Sequence, residues 1–168
     1  MIETEISVES IWNDKGDWQG ISDKSVAAAI TAAPYARLTE TSAQIAVSIL
    51  FADNDKVQAL NRDYRKQDRP TNILSFPMLP KDLLHNIANT DDGEVLLGDM
   101  ILAYETCAGE AAETGISLEQ HVTHLIVHGM LHLLGYDHIV EAEAEAMETL
   151  EIKALASMGL PNPYRELP

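Results

Sequence analysis

The sequence predicts an α+β domain, a small mixed four-stranded sheet packed with about five to six helices. Two observations carry that prediction. Four short segments read as strands, and the stretches between and after them have helical periodicity bounded by capping or breaking residues. Their order, β-α-β-α-β-β-α-α-α, alternates at first and then ends in a run of helices, which leaves room for only a small sheet.

Ile2, Thr4, Ile6 and Val8 alternate with Glu3, Glu5 and Ser7, the pattern of a strand with one wet face. A turn-rich Asn13-Asp14-Lys15-Gly16-Asp17 follows, and Ser22 or Asp23 is expected to cap a helix that runs to Ala33 and stops at Pro34. Residues 43–51 are apolar and β-branched, as in a central strand. Asp53 caps the next helix, in which Val57, Leu60 and Tyr64 share a face, and Pro70 is expected to end it. Residues 72–76 form a short strand closed by Pro77 and Pro80, and residues 81–93 form an exposed loop around Asp91-Asp92-Gly93. A strand over 95–103 leads into a helix over 104–114 that ends at Gly115. Ser117 and Gln120 open a long apolar helix to about Leu134, with Gly135 closing it, and a final helix over 141–158 is closed by Gly159 and Pro161.

With 168 residues, no internal repeat and no compositional break, the chain reads as one domain, 1–168, able to bury its own core. No apolar run reaches the roughly 18–20 residues of a membrane span, and the N-terminus lacks the pattern of a signal peptide. A single cysteine, Cys107, fits a small core residue in a reducing compartment, so the expected location is the cytoplasm. The formal net charge of −16 excludes a protein that coats nucleic acid indiscriminately. Yet six of the eleven basic residues (Lys56, Arg62, Arg65, Lys66, Arg69 and Lys81) fall in one window opposed only by Asp63 and Asp68. Either this is a solvated helix face, or an anionic ligand lands there, since little else is basic.

Three of the six histidines crowd into His128-Gly129-Met130-Leu131-His132-Leu133-Leu134-Gly135-Tyr136-Asp137-His138. His128 and His132 lie one helical turn apart, about 6 Å along the axis, on one face. Gly135 lets the chain turn back and bring His138 in as a third ligand, leaving one tetrahedral position of a zinc ion open for catalysis. His121 and His124 share that helical face. A linear set of His124, His128 and His132 spreads over too long a rise to meet one ion, so His124 is assigned to the outer shell or the substrate side and His121 to the rim. The spacing matches that of the metzincin proteases, so the long helix is expected to be a zincin-like metal helix, one zinc per chain. Position 129, however, is glycine where those enzymes carry a water-activating glutamate. That departure favours phosphodiester chemistry, which needs charge neutralisation more than a strong side-chain base. Asp137 is a candidate to orient a ligand histidine, and Asp99 has no assigned role. The residues identify no general base.

The histidine segment resembles the signature of the YbeY endoribonucleases, the bacterial rRNA maturation factors. Leu60-Asn61-Arg62-Asp63-Tyr64-Arg65 followed by Pro70-Thr71-Asn72-Ile73-Leu74-Ser75-Phe76-Pro77 is similar to a second motif of that family. Leu97-Gly98-Asp99-Met100-Ile101 and Met158-Gly159-Leu160 with Pro163-Tyr164 are similar to two more. The resemblance runs from about residue 43 to the C-terminus. It implies a single-strand-specific endoribonuclease acting on ribosomal RNA, notably at the 3′ end of the small-subunit RNA, and in ribosome quality control. It also implies His128, His132 and His138 as zinc ligands and His128 and Arg65 as catalytic residues. Lys66, Arg69 and His124 join Arg65 as candidate substrate-binding residues. Small-subunit ribosomal proteins are the expected partners, because an acidic protein reaches RNA most readily through basic ones. A zinc protease and a non-catalytic ribosome-assembly factor with a structural zinc remain as alternatives.

Overall fold

The computed structural model describes residues 2–33, 44–79, 94–136 and 141–164. The apolar, alternating segments form four strands: β1 (Ile2–Val8), β2 (Gln44–Ala52), β3 (Ile73–Pro77) and β4 (Glu94–Ala103). They lie in the order β1-β2-β4-β3, with β1–β2 and β2–β4 parallel and β3 antiparallel to β4. Five helices accompany them among the described residues: α1 (Trp18–Ala32), α2 (Asn54–Arg65), α3 (Tyr104–Thr114), α4 (Leu118–Leu133) and α5 (Glu141–Ser157). The α+β class and the small mixed sheet are therefore as the sequence implies. None of these helices is long and apolar enough to cross a membrane.

Central strands covered on both faces should be almost continuously apolar, and β2 is. Its Ile45, Val47, Ile49 and Phe51 face the main core together with Met100 and Leu102 of β4 and buried residues of α1, α4 and α5. Ala52, Leu74, Ile101 and Ala103 form a smaller cluster on the other face with Val57 of α2. α4 is the central helix of the larger layer, burying Val122, Leu125, Ile126, Val127, Met130, Leu131 and Leu133.

Several boundaries differ from the sequence reading. α1 begins at Trp18, capped by Asp17, whose side chain accepts from the Gly20 amide; Ser22 and Asp23 lie inside the helix. The earlier start follows from Trp18 being buried, with its indole N–H donating to the Trp12 carbonyl at 2.9 Å. Trp12 itself sits in a short 3-10 turn, Ser10–Trp12, that composition does not announce. α2 ends at Arg65, five residues before Pro70, because Lys66 adopts a left-handed conformation at φ 58°. Asn61, buried, donates to the Arg69 carbonyl at 2.9 Å and so pins the returning loop against the helix. The Asp53 and Ser117 caps and the Gly115 and Gly159 stops stand where expected. The expected loop at 81–93 lies outside the described residues. Cys107 is fully buried; burial, and then the nearby Glu110 charge, push its thiol up to about 12, as suits an inert core residue.

Candidate metal centre

α4 owes its place to its apolar side chains, and its fourth side is left to histidines. His121, His124, His128 and His132 follow one another along that side. The ring centroids of His128 and His132 are 4.6 Å apart and their planes nearly perpendicular.

Each ring's orientation is fixed through Nδ1. His132 Nδ1 lies 3.0 Å from the Tyr136 carbonyl oxygen, which can only accept, so this nitrogen carries the hydrogen. Tyr136 is brought there by the helix end. Gly135, at φ 96°, lets the Tyr136 amide donate to the Leu131 carbonyl and its own amide donate to His132, a Schellman closure. His128 Nδ1 is hydrogen-bonded to Glu151 Oε1 of α5, again an acceptor. With both hydrogens on Nδ1, the two Nε2 atoms carry the ring lone pairs that could coordinate a metal, and they lie 3.0 Å apart. Two nitrogens at about 2.0–2.1 Å from one tetrahedral zinc sit roughly 3.3 Å apart, so the pair is fitted to share a cation. No group of three ligands forms among the described residues, and His138 and Asp137, the expected third ligand and its neighbour, lie outside them.

His124 is oriented the other way. Its Nε2 lies 3.0 Å from Glu151 Oε2, so it turns the nitrogen that would coordinate toward a carboxylate. That bond, like the helix rise, counts against the linear His124/His128/His132 set. His121 pairs instead with Glu110 at 2.9 Å, and Glu110 also accepts from the Asn72 side chain.

These histidines open on a cleft of about 770 Å³. His124, His128 and His132 line one wall; Thr71, Asn72, Ile73 and Ser75 of the returning chain and β3 line another, and Arg65, Tyr136 and Tyr164 complete it. Arg65 thus reaches the same space as the histidine pair, and no carboxylate pairs with it among the described residues. Arg62 takes Asp63, at 3.3 Å. Lys66 and Arg69 are exposed, do not line the cleft, and Arg69 is bonded to the Gln67 side chain. Asp99 sits within β4 between Ser48 and Phe76 of the neighbouring strands, also away from the cleft lining.

The structure adds Glu151, which sequence reasoning passed over. It is completely buried, and it accepts from His124, His128 and the Tyr164 hydroxyl. Burial acts to raise its carboxyl, but the bonds from both histidines and the tyrosine outweigh it and hold the group at about 2. Tyr164 is driven the opposite way, well above the usual phenol range, by burial and then by Glu151. A signal was available. α5 carries Glu141, Glu143, Glu145 and Glu148, yet Glu151 falls on the stripe Met147, Glu151, Ala154, Leu155 that faces the core. A carboxylate on a buried stripe needs partners, and the histidine face of α4 supplies them.

A family model described as Endoribonuclease YbeY matches residues 11–159. The chain belongs to the YbeY endoribonuclease family. A protein named Endoribonuclease YbeY from Sphingopyxis alaskensis is 51% identical over 166 residues, 99% of each chain. One of the same name from Rhizorhabdus wittichii is 52% identical over 164 residues, 98% of this chain and 97% of that one. The solution structure of TM1509 from Thermotoga maritima, 18% identical, superposes with a TM-score of 0.54 over 98% of this chain and 100% of that one, a likeness of fold.

Within this YbeY chain, the glycine at 129 has a steric reason as well as a chemical one. α4 crosses β3 and β4 so closely that a Cβ there would lie 2.7 Å from the Met100 sulfur, 2.9 Å from Ser75 Oγ and 3.1 Å from Ile73 Cδ1. A glutamate in this position would be driven into the sheet. Gly129→Ala is expected to destabilise the fold by about 1–3 kcal/mol through overpacking. Urea unfolding should show a lower midpoint at unchanged slope; an unshifted midpoint would mean that the crossing has slack.

Proposed function

We propose that this member of the YbeY family is a zinc-dependent, single-strand-specific endoribonuclease that acts in the cytoplasm on ribosomal RNA. Its site of action on this reading is the 3′ end of the small-subunit RNA, with a further part in ribosome quality control. The observation that supports it best is the pair of Nε2 atoms 3.0 Å apart, each fixed through its Nδ1, in a cleft that Arg65 also lines. His128 and His132 would hold the zinc together with His138. When bound, the ion supplies Lewis-acid polarisation and acidifies water.

The chain's own side chains do the rest. The Arg65 guanidinium is suited to grip a phosphodiester through two oxygens and to offset the charge that builds on them during cleavage. The Tyr136 carbonyl and the Glu151 carboxylate keep the two imidazoles from rotating or changing tautomer. A duplex presents its phosphates on a stiff rod, whereas a single strand can fold its backbone into a cleft of this size, which supports the preference. A net charge of −16 leaves approach to the ribosome to contacts with basic small-subunit proteins. The protease alternative lacks its glutamate, and position 129 has no room for one.

Cleavage of single-stranded and duplex RNA by zinc-supplemented protein tests this reading. Cutting of the single strand, sparing of the duplex and loss of both cutting and zinc in His128→Ala are expected. A folded, zinc-replete wild type that cuts neither would favour the non-catalytic assembly factor.

A further inference from the structure

We infer that Glu151 is a positioning residue for the metal pair, locking His128 with its hydrogen on Nδ1 so that Nε2 is presented beside that of His132. The inference rests on the metal reading above and deepens it.

A fully buried carboxylate on the core stripe of a helix is a costly choice. Replacing a whole buried polar cluster by apolar side chains is often neutral or stabilising, so net stability does not account for a carboxylate at this place. Its bonding does. Oε1 is given to His128 Nδ1, while Oε2 is shared by the His124 ring and the Tyr164 hydroxyl. Because carboxylate oxygens accept, both histidines must donate, and they do so through opposite nitrogens. One carboxylate therefore sets two rings one turn apart into different tautomers, with His128 ready to coordinate and His124 turned away from doing so. Tyr164, arriving from beyond α5, pins Oε2 and keeps the carboxylate from swinging between the rings.

Glu151 does not line the cleft, and all of its bonds are to side chains that do. That separates it from the reacting groups: it has no open oxygen with which to take a proton from substrate, and it acts through His128. Tyr136 serves His132 in the same sense through a backbone carbonyl, which no side-chain substitution can remove. Among the described residues, the Glu151 lock is the one that a side-chain substitution can open.

Two variants test the lock. Glu151→Gln keeps the shape but replaces one acceptor with a donor, and Glu151→Leu keeps the volume and removes both acceptors. Zinc affinity is read by competition with a chromophoric chelator, and the His128 tautomer by ¹⁵N NMR of zinc-free protein. Glu151→Leu is expected to bind zinc about 10- to 100-fold more weakly, the usual effect of losing an outer-shell partner. Glu151→Gln, whose amide oxygen can still accept from His128 Nδ1, should retain most of the affinity. His128 should show Nε2–H as well as Nδ1–H in Glu151→Leu, and Nδ1–H in Glu151→Gln. Folded Glu151→Leu with wild-type zinc affinity and an unchanged His128 tautomer would overturn the inference. Weakened binding in Glu151→Leu with His128 still carrying its hydrogen on Nδ1 alone would also overturn it, by making the role structural. Wild type that takes up no zinc would overturn the metal reading itself, whereas the tautomer measurement tests the lock independently.

Discussion

His132→Ala is expected to lose zinc and RNA cleavage together while the fold survives. The substitution removes one of the two Nε2 atoms that lie 3.0 Å apart, and on the proposed reading leaves His128 and His138 one protein ligand short of holding the ion in its place. Loss of the several kcal/mol of transition-state stabilisation that a catalytic metal provides corresponds to a rate decrease of about 10³-fold or more. The cost to folding is much smaller. Among the described residues the ring gives up its bond to the Tyr136 carbonyl, and such bonds are worth about 1 kcal/mol net. Bound zinc, cleavage rate and urea midpoint measured on one preparation decide the matter. Full zinc occupancy with undiminished cleavage would remove His132 from the ligand set.

Arg65→Ala is expected to leave zinc content and stability alone and to lower kcat by about 10²–10³-fold. That is the usual effect of deleting one donor that stabilises transition-state charge. Arg65 is exposed, ends α2 and makes no ion pair among the described residues, so truncation costs folding no more than roughly 0.5 kcal/mol. Arg65→Lys should recover only part of the rate, since an ammonium keeps the charge but cannot engage two phosphate oxygens in one plane. Single-turnover kinetics on a short RNA separate the chemical step from binding. An unchanged chemical rate at intact zinc content would mean that Arg65 only shapes the cleft mouth.

The features that sequence revealed are those with a local period. Alternation in β1, the apolar run of β2 and the one-turn spacing of His128 and His132 depend on residues a few positions apart, and each appears as expected. What escaped depends on packing between distant segments. The start of α1 is set by the burial of Trp18 against Trp12, and the end of α2 by Asn61 holding the Arg69 carbonyl. Glu151 looks like one more acid in an acidic helix until α5 is laid against α4. Gly129 carries a chemical message in sequence, a missing glutamate, while its steric meaning requires knowing that β3 and β4 cross beneath it.

The helix that carries the metal pair is also the one that holds the core together. Seven apolar side chains of α4 are buried, at roughly 1.5–3 kcal/mol each, and their sum rivals or exceeds the about 5–15 kcal/mol of net stability typical of a whole domain. α4 therefore cannot fray or lift away as a local event, and its amide protons should exchange with solvent only through global unfolding. On the proposed reading, His128 and His132 would then take up and release an ion by movement of their imidazoles over a closed helix backbone. A chelator would be expected to take an ion from these two rings without first melting α4.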